Sequence, residues 1–356
     1  MNLQSQTDKA IYVLEDLDRL VTHLAKDHAV LQICQDDEGE KNWTESIQNG
    51  VSPLYGSANI PMASPKSLFF AENEALYKFD GESFKAINPD VLPRALIGVQ
   101  ACDLTAIAYQ DRFFKDDPYY QAKRQKTLLV GIDCESPCAN GFCTIVDAGP
   151  HVNAQTADLI LSRIEKSTSD GSQPWLLIAE TAKGLNSING LALEPAQTEH
   201  VVQRSEQHKL TCAKFDDFTY ISNSVEYLND NLIPAAVWQE LSVQCLSCSG
   251  CTNLCPTCSC YTVYETNSTE KASEYTTFRN WDSCLFEGFQ KEASGHNPSH
   301  EAAKRVERFW FHKFSDEYLP EFGRYGCVGC GRCESTCPGV IGVHSIMKRI
   351  DQACCN

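Results

Sequence analysis

The chain is short of positive charge and of long apolar runs, and each shortage removes a class of function. Thirty Lys and Arg stand against 47 Asp and Glu, a formal net charge of −17, which argues against nucleic acid or an anionic membrane surface as the main partner. No stretch approaches the roughly 20 consecutive apolar residues of a membrane-spanning helix. Met1–Ala10 is polar, without the basic and apolar regions of a secretory signal. A cytoplasmic protein with protein partners is therefore expected. A Rossmann glycine fingerprint, a P-loop, a Gly-x-Ser-x-Gly elbow, a His-Glu-x-x-His motif and any flavin or nicotinamide motif are all missing. No nucleotide site and no constellation for substrate chemistry is expected.

Cysteine is what the chain has in quantity, 19 residues of it. Two runs share one spacing: Cys245-x-x-Cys248-x-x-Cys251-x-x-x-Cys255-Pro256 and Cys327-x-x-Cys330-x-x-Cys333-x-x-x-Cys337-Pro338. This is the bacterial ferredoxin run, which seats a [4Fe-4S] cube on thiolates. A structural zinc site would also use Cys-x-x-Cys pairs, but it takes two separated pairs and gains nothing from a fourth cysteine followed by proline. Disulfides fit poorly with this many close thiols and no secretory signal. In two-cluster ferredoxins the fourth cysteine of each run ligates the other cube. On that pattern Cys245, Cys248, Cys251 and Cys337 hold one cube, and Cys327, Cys330, Cys333 and Cys255 hold the second.

Patterning divides the chain near residue 235. An amphipathic helix is expected around Val13, Leu14, Leu17, Leu20, Val21 and Leu24, and strands at Ser67–Phe70, Ala95–Val99, Leu128–Ile132 and Trp175–Ala179. A helix at Leu104–Phe114 completes an α/β domain over residues 1–235. Ala182–Gln207 reads as a polar surface excursion. Residues 236–356 read as an α-helical, ferredoxin-like two-cluster domain with an insert at about 261–322. Within the insert Glu301–Phe314 has helical pattern, with Val306, Phe309 and Trp310 inward and Lys304, Arg305 and Arg308 outward.

A second set of thiols lies in the α/β domain. Cys102 follows the Ala95–Val99 run and Cys134 follows Leu128–Ile132, with Cys138 and Cys143 close behind. Ligands collect beyond the carboxyl ends of strands in open α/β sheets, so parallel neighbours would bring these cysteines to one edge. They are candidates for a third iron-sulfur cluster, with Asp103 as an oxygen ligand if one thiol stands aside; buried free cysteines are the plainer reading. Cys258, Cys260 and Cys284 read as residues that flank or pack beside complete cubes. Cys354 and Cys355 have no assigned role at a loose terminus.

Several further motifs carry a resemblance. They are Ser64-Pro65-Lys66 with Phe69-Phe70, Ala101-Cys102-Asp103-Leu104, Asp117-Pro118-Tyr119-Tyr120, Phe142-Cys143, Cys255-Pro256-Thr257-Cys258-Ser259-Cys260, Trp281-Asp282-Ser283-Cys284, Gly295-His296-Asn297-Pro298 and Tyr325 to Pro338. With these the chain resembles the iron-sulfur β subunit of soluble, multi-subunit nickel-iron hydrogenases of the sulfhydrogenase type. It is similarly close to the electron-relaying iron-sulfur component of anaerobic sulfite reductase. The resemblance implies a non-catalytic electron-transfer subunit of an oxidoreductase complex. Its partners would be a flavoprotein handling NAD(P)H, a nickel-iron catalytic subunit and its small iron-sulfur partner, or a sirohaem subunit in the sulfite reductase case. Ser299 departs from the family, which often has a basic residue there. Readings of another class are a stand-alone heterodisulfide-reductase-like enzyme, for which Cys354-Cys355-Asn356 has the wrong third residue, and a zinc-binding interaction module.

Overall fold

The computed structural model describes residues 10–45, 52–56, 60–164, 173–269, 271 and 273–355. Among them the strands run in chain order as β1 (Ala10–Leu14), β2 (Ala29–Gln35), β3 (Lys41–Thr44), β4 (Asn73–Phe79), β5 (Phe84–Ala86), β6 (Arg94–Gln100), β7 (Thr127–Ile132), β8 (Leu159–Arg163), β9 (Trp175–Ala179), β10 (Glu194–Pro195), β11 (Tyr261–Asn267) and β12 (Tyr275–Trp281). The chain divides into two compact units that do not follow a single cut. One comprises 1–62, 91–108 and 124–216, the other 63–90, 109–123 and 217–356.

The first unit is built on a mixed eight-stranded sheet in the order β10-β1-β9-β8-β7-β6-β2-β3. Its centre, β2, β6, β7 and β8, is parallel, and β9, β1 and β3 pair antiparallel at the flanks. Strands β6 and β7 are near-continuous apolar runs, because a central parallel strand is covered on both faces. Leu96, Leu128, Leu129 and Val130 are all fully buried. The N-terminal segment differs from the expected single helix. Val13 and Leu14 belong to β1, and the helix starts afresh at Leu17 because Asp16 caps it, accepting from the Asp18 N–H at 2.9 Å. Ala182–Gln207 is more ordered than expected: it holds a helix at Ala182–Ser187, β10, and the start of a helix at Thr198–Cys212.

The second unit carries an antiparallel sheet in the order β11-β12-β4-β5, together with helices Thr219–Asn229, Ala235–Gln244, Ala302–Phe314 and Val343–Cys354. The α-helical expectation for residues 236–356 thus leaves out the β11–β12 hairpin. Ser67–Phe70 is not a strand either. Pro65 precedes a helical turn at Lys66–Phe69, and its fixed φ of −69° suits a helix start. In the helix Ala302–Phe314 Arg305 is buried rather than outward, because its guanidinium donates to the Ser299 and His300 carbonyls at 2.9 and 2.6 Å. The terminus is not loose. Helix Val343–Cys354 buries Val343, Ile346, Met347 and Ile350. No helix among the described residues is long and apolar enough to cross a membrane.

Candidate iron-sulfur centres

The two cysteine runs fold alike. Each carries left-handed backbone two and four residues after its first cysteine: Ser247 and Ser249 (φ 49° and 63°) in the first, Gly329 and Gly331 (φ 64° and 72°) in the second. Each then enters one helical turn, Gly250–Asn253 or Arg332–Ser335, that holds the third cysteine. Two left-handed residues curl the chain so that its thiols face one space. Gly339 packs directly on the Gln244 carbonyl, where a Cβ would collide, so the end of the second run lies against the start of the first.

That approach makes a cavity ringed by Cys245, Cys248, Cys251 and Cys337, around roughly 470 Å³ of atom-free space that is partly open to solvent. Leu285, Val306, Phe309, Trp310 and Ile341 line the rest of it. Burial pushes the Cys251 thiol up to about 12, and Cys245, Cys337, Cys255 and Cys248 beside it push the same way. The other thiols gather separately. Burial raises Cys333 well above the usual thiol range, with Cys327, Cys330 and Cys255 adding to the rise. Burial likewise lifts Cys327 to about 12, against the Gly329 N–H that donates to its Sγ at 3.4 Å. The Ile341 N–H donates to Cys337 Sγ at 3.4 Å in the same manner.

This donor chemistry fits iron-sulfur cubes. Crowded thiols that resist ionisation alone become ligands once iron displaces their protons, and N–H groups aimed at sulfur, with an apolar wall, are what set a cluster's potential. Among the described residues no three His, Cys, Asp or Glu side chains converge on one point, as ligands of a single zinc ion do.

A family model described as a 4Fe-4S dicluster domain matches residues 244–341. Those residues are an iron-sulfur domain. The chain is also similar to sulfhydrogenase 2 subunit beta of Pyrococcus furiosus, 27% identical over 299 residues that cover 82% of this chain and 84% of the relative. The resemblance to iron-sulfur β subunits of sulfhydrogenases therefore extends well beyond the cysteine runs.

The thiols of the first unit are also brought near one another. Strands β6 and β7 are parallel neighbours. Cys102 sits buried in the first turn of helix Ala101–Phe113, and the Ala101 N–H donates to Cys134 Sγ. Burial raises the Cys134 thiol well above its ordinary value, and Cys143 and Cys138 close by raise it further. Gly149 leaves no room for a side chain, since a Cβ there would stand 3.1 Å from Cys143 Sγ and 3.2 Å from Ala101 Cβ. Asp103 is fully buried in the same turn.

Two lysines near the second unit's thiols escaped the sequence reading as site residues. Lys313 is buried and its Nζ donates to Thr257 Oγ1 at 2.9 Å. Lys66 is buried and its Nζ donates to the Asn253 carbonyl at 2.8 Å while lying 3.9 Å above the Trp281 ring. The signal for Lys313 was its position seven residues after Val306 on the apolar stripe of its helix.

Proposed function

We propose that the chain is a cytoplasmic electron-transfer subunit of a hydrogenase complex, relaying electrons through two [4Fe-4S] clusters. They would pass between an NAD(P)H-handling flavoprotein and a nickel-iron catalytic module with its small iron-sulfur subunit. The observation that carries the reading is the cavity ringed by three thiols of one run and Cys337 of the other. It supports the crossed ligand sets, with Cys245, Cys248, Cys251 and Cys337 on one cube and Cys327, Cys330, Cys333 and Cys255 on the second. A thiolate-held cube exchanges one electron with little rearrangement. The chain's own part is to hold the thiols, aim N–H groups at them and exclude water with Trp310, Phe309 and Val306. A third cluster on Cys102, Cys134, Cys138 and Cys143, with Asp103 beside them, would extend the path into the α/β unit.

The iron-sulfur component of an anaerobic sulfite reductase would do the same physical work, passing electrons to a sirohaem protein. Anaerobic purification with native partners, followed by identification of the co-purifying proteins, separates the two. Iron and acid-labile sulfide should come to about four of each per cube. Zinc without labile sulfide would overturn the proposal in favour of an interaction module. The crossed sets have their own test: Cys337→Ser should disturb the cluster that Cys245→Ser disturbs, and Cys255→Ser the other. Replacing Cys102 and Cys134 by Ser should remove about four iron atoms if the third site is filled.

A further inference from the structure

Three cysteines outside both crossed sets, Cys258, Cys260 and Cys284, meet inside the second unit. Cys258 and Cys260 follow the first run, while Cys284 arrives from the end of β12. Antiparallel pairing of Tyr261 with Trp281, continued by the Asp282 N–H donating to the Cys260 carbonyl at 3.0 Å, brings the two segments together. The Cys260 and Cys284 side chains hydrogen-bond to one another, and the Cys284 N–H also donates to Cys260 Sγ. Cys258 and Cys284 are 7% and 5% exposed. Ordinary packing thiols need no N–H aimed at sulfur.

The charges around them point the same way. Lys313 Nζ donates to the Cys258 side chain, and Lys66 Nζ reaches the Cys258 carbonyl at 3.4 Å, so Cys258 lies between two ammonium groups. Both lysines are about 5% exposed or less. Among the described residues their hydrogen bonds go to carbonyls, the Thr257 hydroxyl and the Cys258 sulfur, and neither pairs with a carboxylate. A buried ammonium without an anion is costly by several kcal/mol. Two of them beside three thiols call for negative charge at those sulfurs, which a metal-sulfur centre supplies and neutral packing cysteines do not.

We propose that Cys258, Cys260 and Cys284 hold a further iron-sulfur cluster on three thiolates, with Lys66 and Lys313 as its buried counter-charge. Three protein thiolates leave one cluster position for a ligand from outside the cysteine set. The site is separate from the two crossed sets, and its electrons would come one at a time from the neighbouring cubes.

The test uses the full chain purified anaerobically with its partner proteins. Cys260→Ser and Cys284→Ser should each lower iron and labile sulfide by about three to four atoms per chain and remove one cluster's electron paramagnetic resonance signal, leaving the signals of the two runs intact. Unchanged iron with a complete set of signals in both variants would overturn the proposal. Should these variants fail to accumulate, the count is made on a chain with Cys102 and Cys134 changed to Ser. There the two runs account for about eight iron atoms; a clear excess supports the further cluster and eight rules it out. Absence of iron altogether would instead defeat the reading of the runs themselves.

Discussion

Lys313 donates through Nζ to Thr257 Oγ1 at 2.9 Å, and Thr257 in turn donates to the Gly326 carbonyl and touches Cys255 Sγ at 3.2 Å. One ammonium thus ties the end of the first cysteine run to the residue before the second. Lys313→Met keeps the length and most of the volume of the side chain but removes the charge. A lost positive charge disfavours the reduced, more negative cluster, so the midpoint potential of the cluster nearest Cys255 should fall. For a charge some 8 Å away at an effective dielectric near 20 the shift is on the order of 50–100 mV. A redox titration followed by electron paramagnetic resonance checks it. An unmoved potential would reduce Lys313 to a packing residue.

Arg279 is the ionic keystone of the antiparallel sheet. Its guanidinium meets Glu74 Oε2 and Asp117 Oδ2, each at 2.5 Å, and Lys123 takes the other Glu74 oxygen. Arg279 and Glu74 side chains are 3% and 8% exposed. Arg279→Met strands Glu74 with Lys123 alone and leaves Asp117 without its cation. Breaking a buried pair from one side costs about 3–5 kcal/mol. Urea denaturation should show a loss of that size; a change below about 1 kcal/mol, the range of surface pairs, would mean the network is solvated in solution.

How much of this was legible depends on whether a residue's chemistry is local. The strands β6, β7 and β9 were readable because buried parallel or central strands are apolar throughout. The iron-sulfur domain was readable from cysteine spacing alone. The β11–β12 hairpin was missed although Thr262, Val263, Tyr264, Thr276, Thr277 and Phe278 are good strand formers, because the connection between them, residues 268–274, holds no Gly, Pro or Asn to mark a turn. Val13 and Leu14 continue the helical period by coincidence, and only the capping carboxylate of Asp16 marks the true break. Lys66 and Lys313 were not legible as charges at a site, since their partners lie in segments far away in sequence and a lysine normally signals a wet face.

Stability of the first unit should depend on pH through His151. Its ring stacks on His208 with centroids 4.3 Å apart, and it lies beside Asp133, which Arg204 holds at 2.6 Å. Burial depresses its pKa to about 4, with Arg204 and His208 acting in the same direction and Asp133 against them. The unfolded chain takes up the proton near pH 6.5 while the folded chain refuses it until about 4. The contribution to stability is therefore complete above about pH 6.5 and is lost as pH falls toward 4, by up to about 3 kcal/mol. Thermal midpoints at pH 7 and pH 5 should differ less in His151→Gln than in the parent chain. Equal differences would show that other groups set the acid response.

The left-handed positions of the two runs differ in what they cost. Gly329 and Gly331 adopt positive φ without penalty, whereas Ser247, at φ 49°, carries a Cβ in a region that costs an L-residue about 1–2 kcal/mol. Ser247→Gly relieves that strain and gives back part of the gain through a more flexible unfolded chain. The net should be a stabilisation of about 0.5–1 kcal/mol, with iron content unchanged. Ser249 is a poorer test, because its hydroxyl donates to the Cys248 carbonyl at 2.6 Å and accepts from Asn253. Denaturant midpoints measured on the anaerobic, cluster-loaded chain decide the matter. If Ser247→Gly destabilises, or sheds iron, the hydroxyl at 247 has a role in holding the first cluster that backbone strain does not explain.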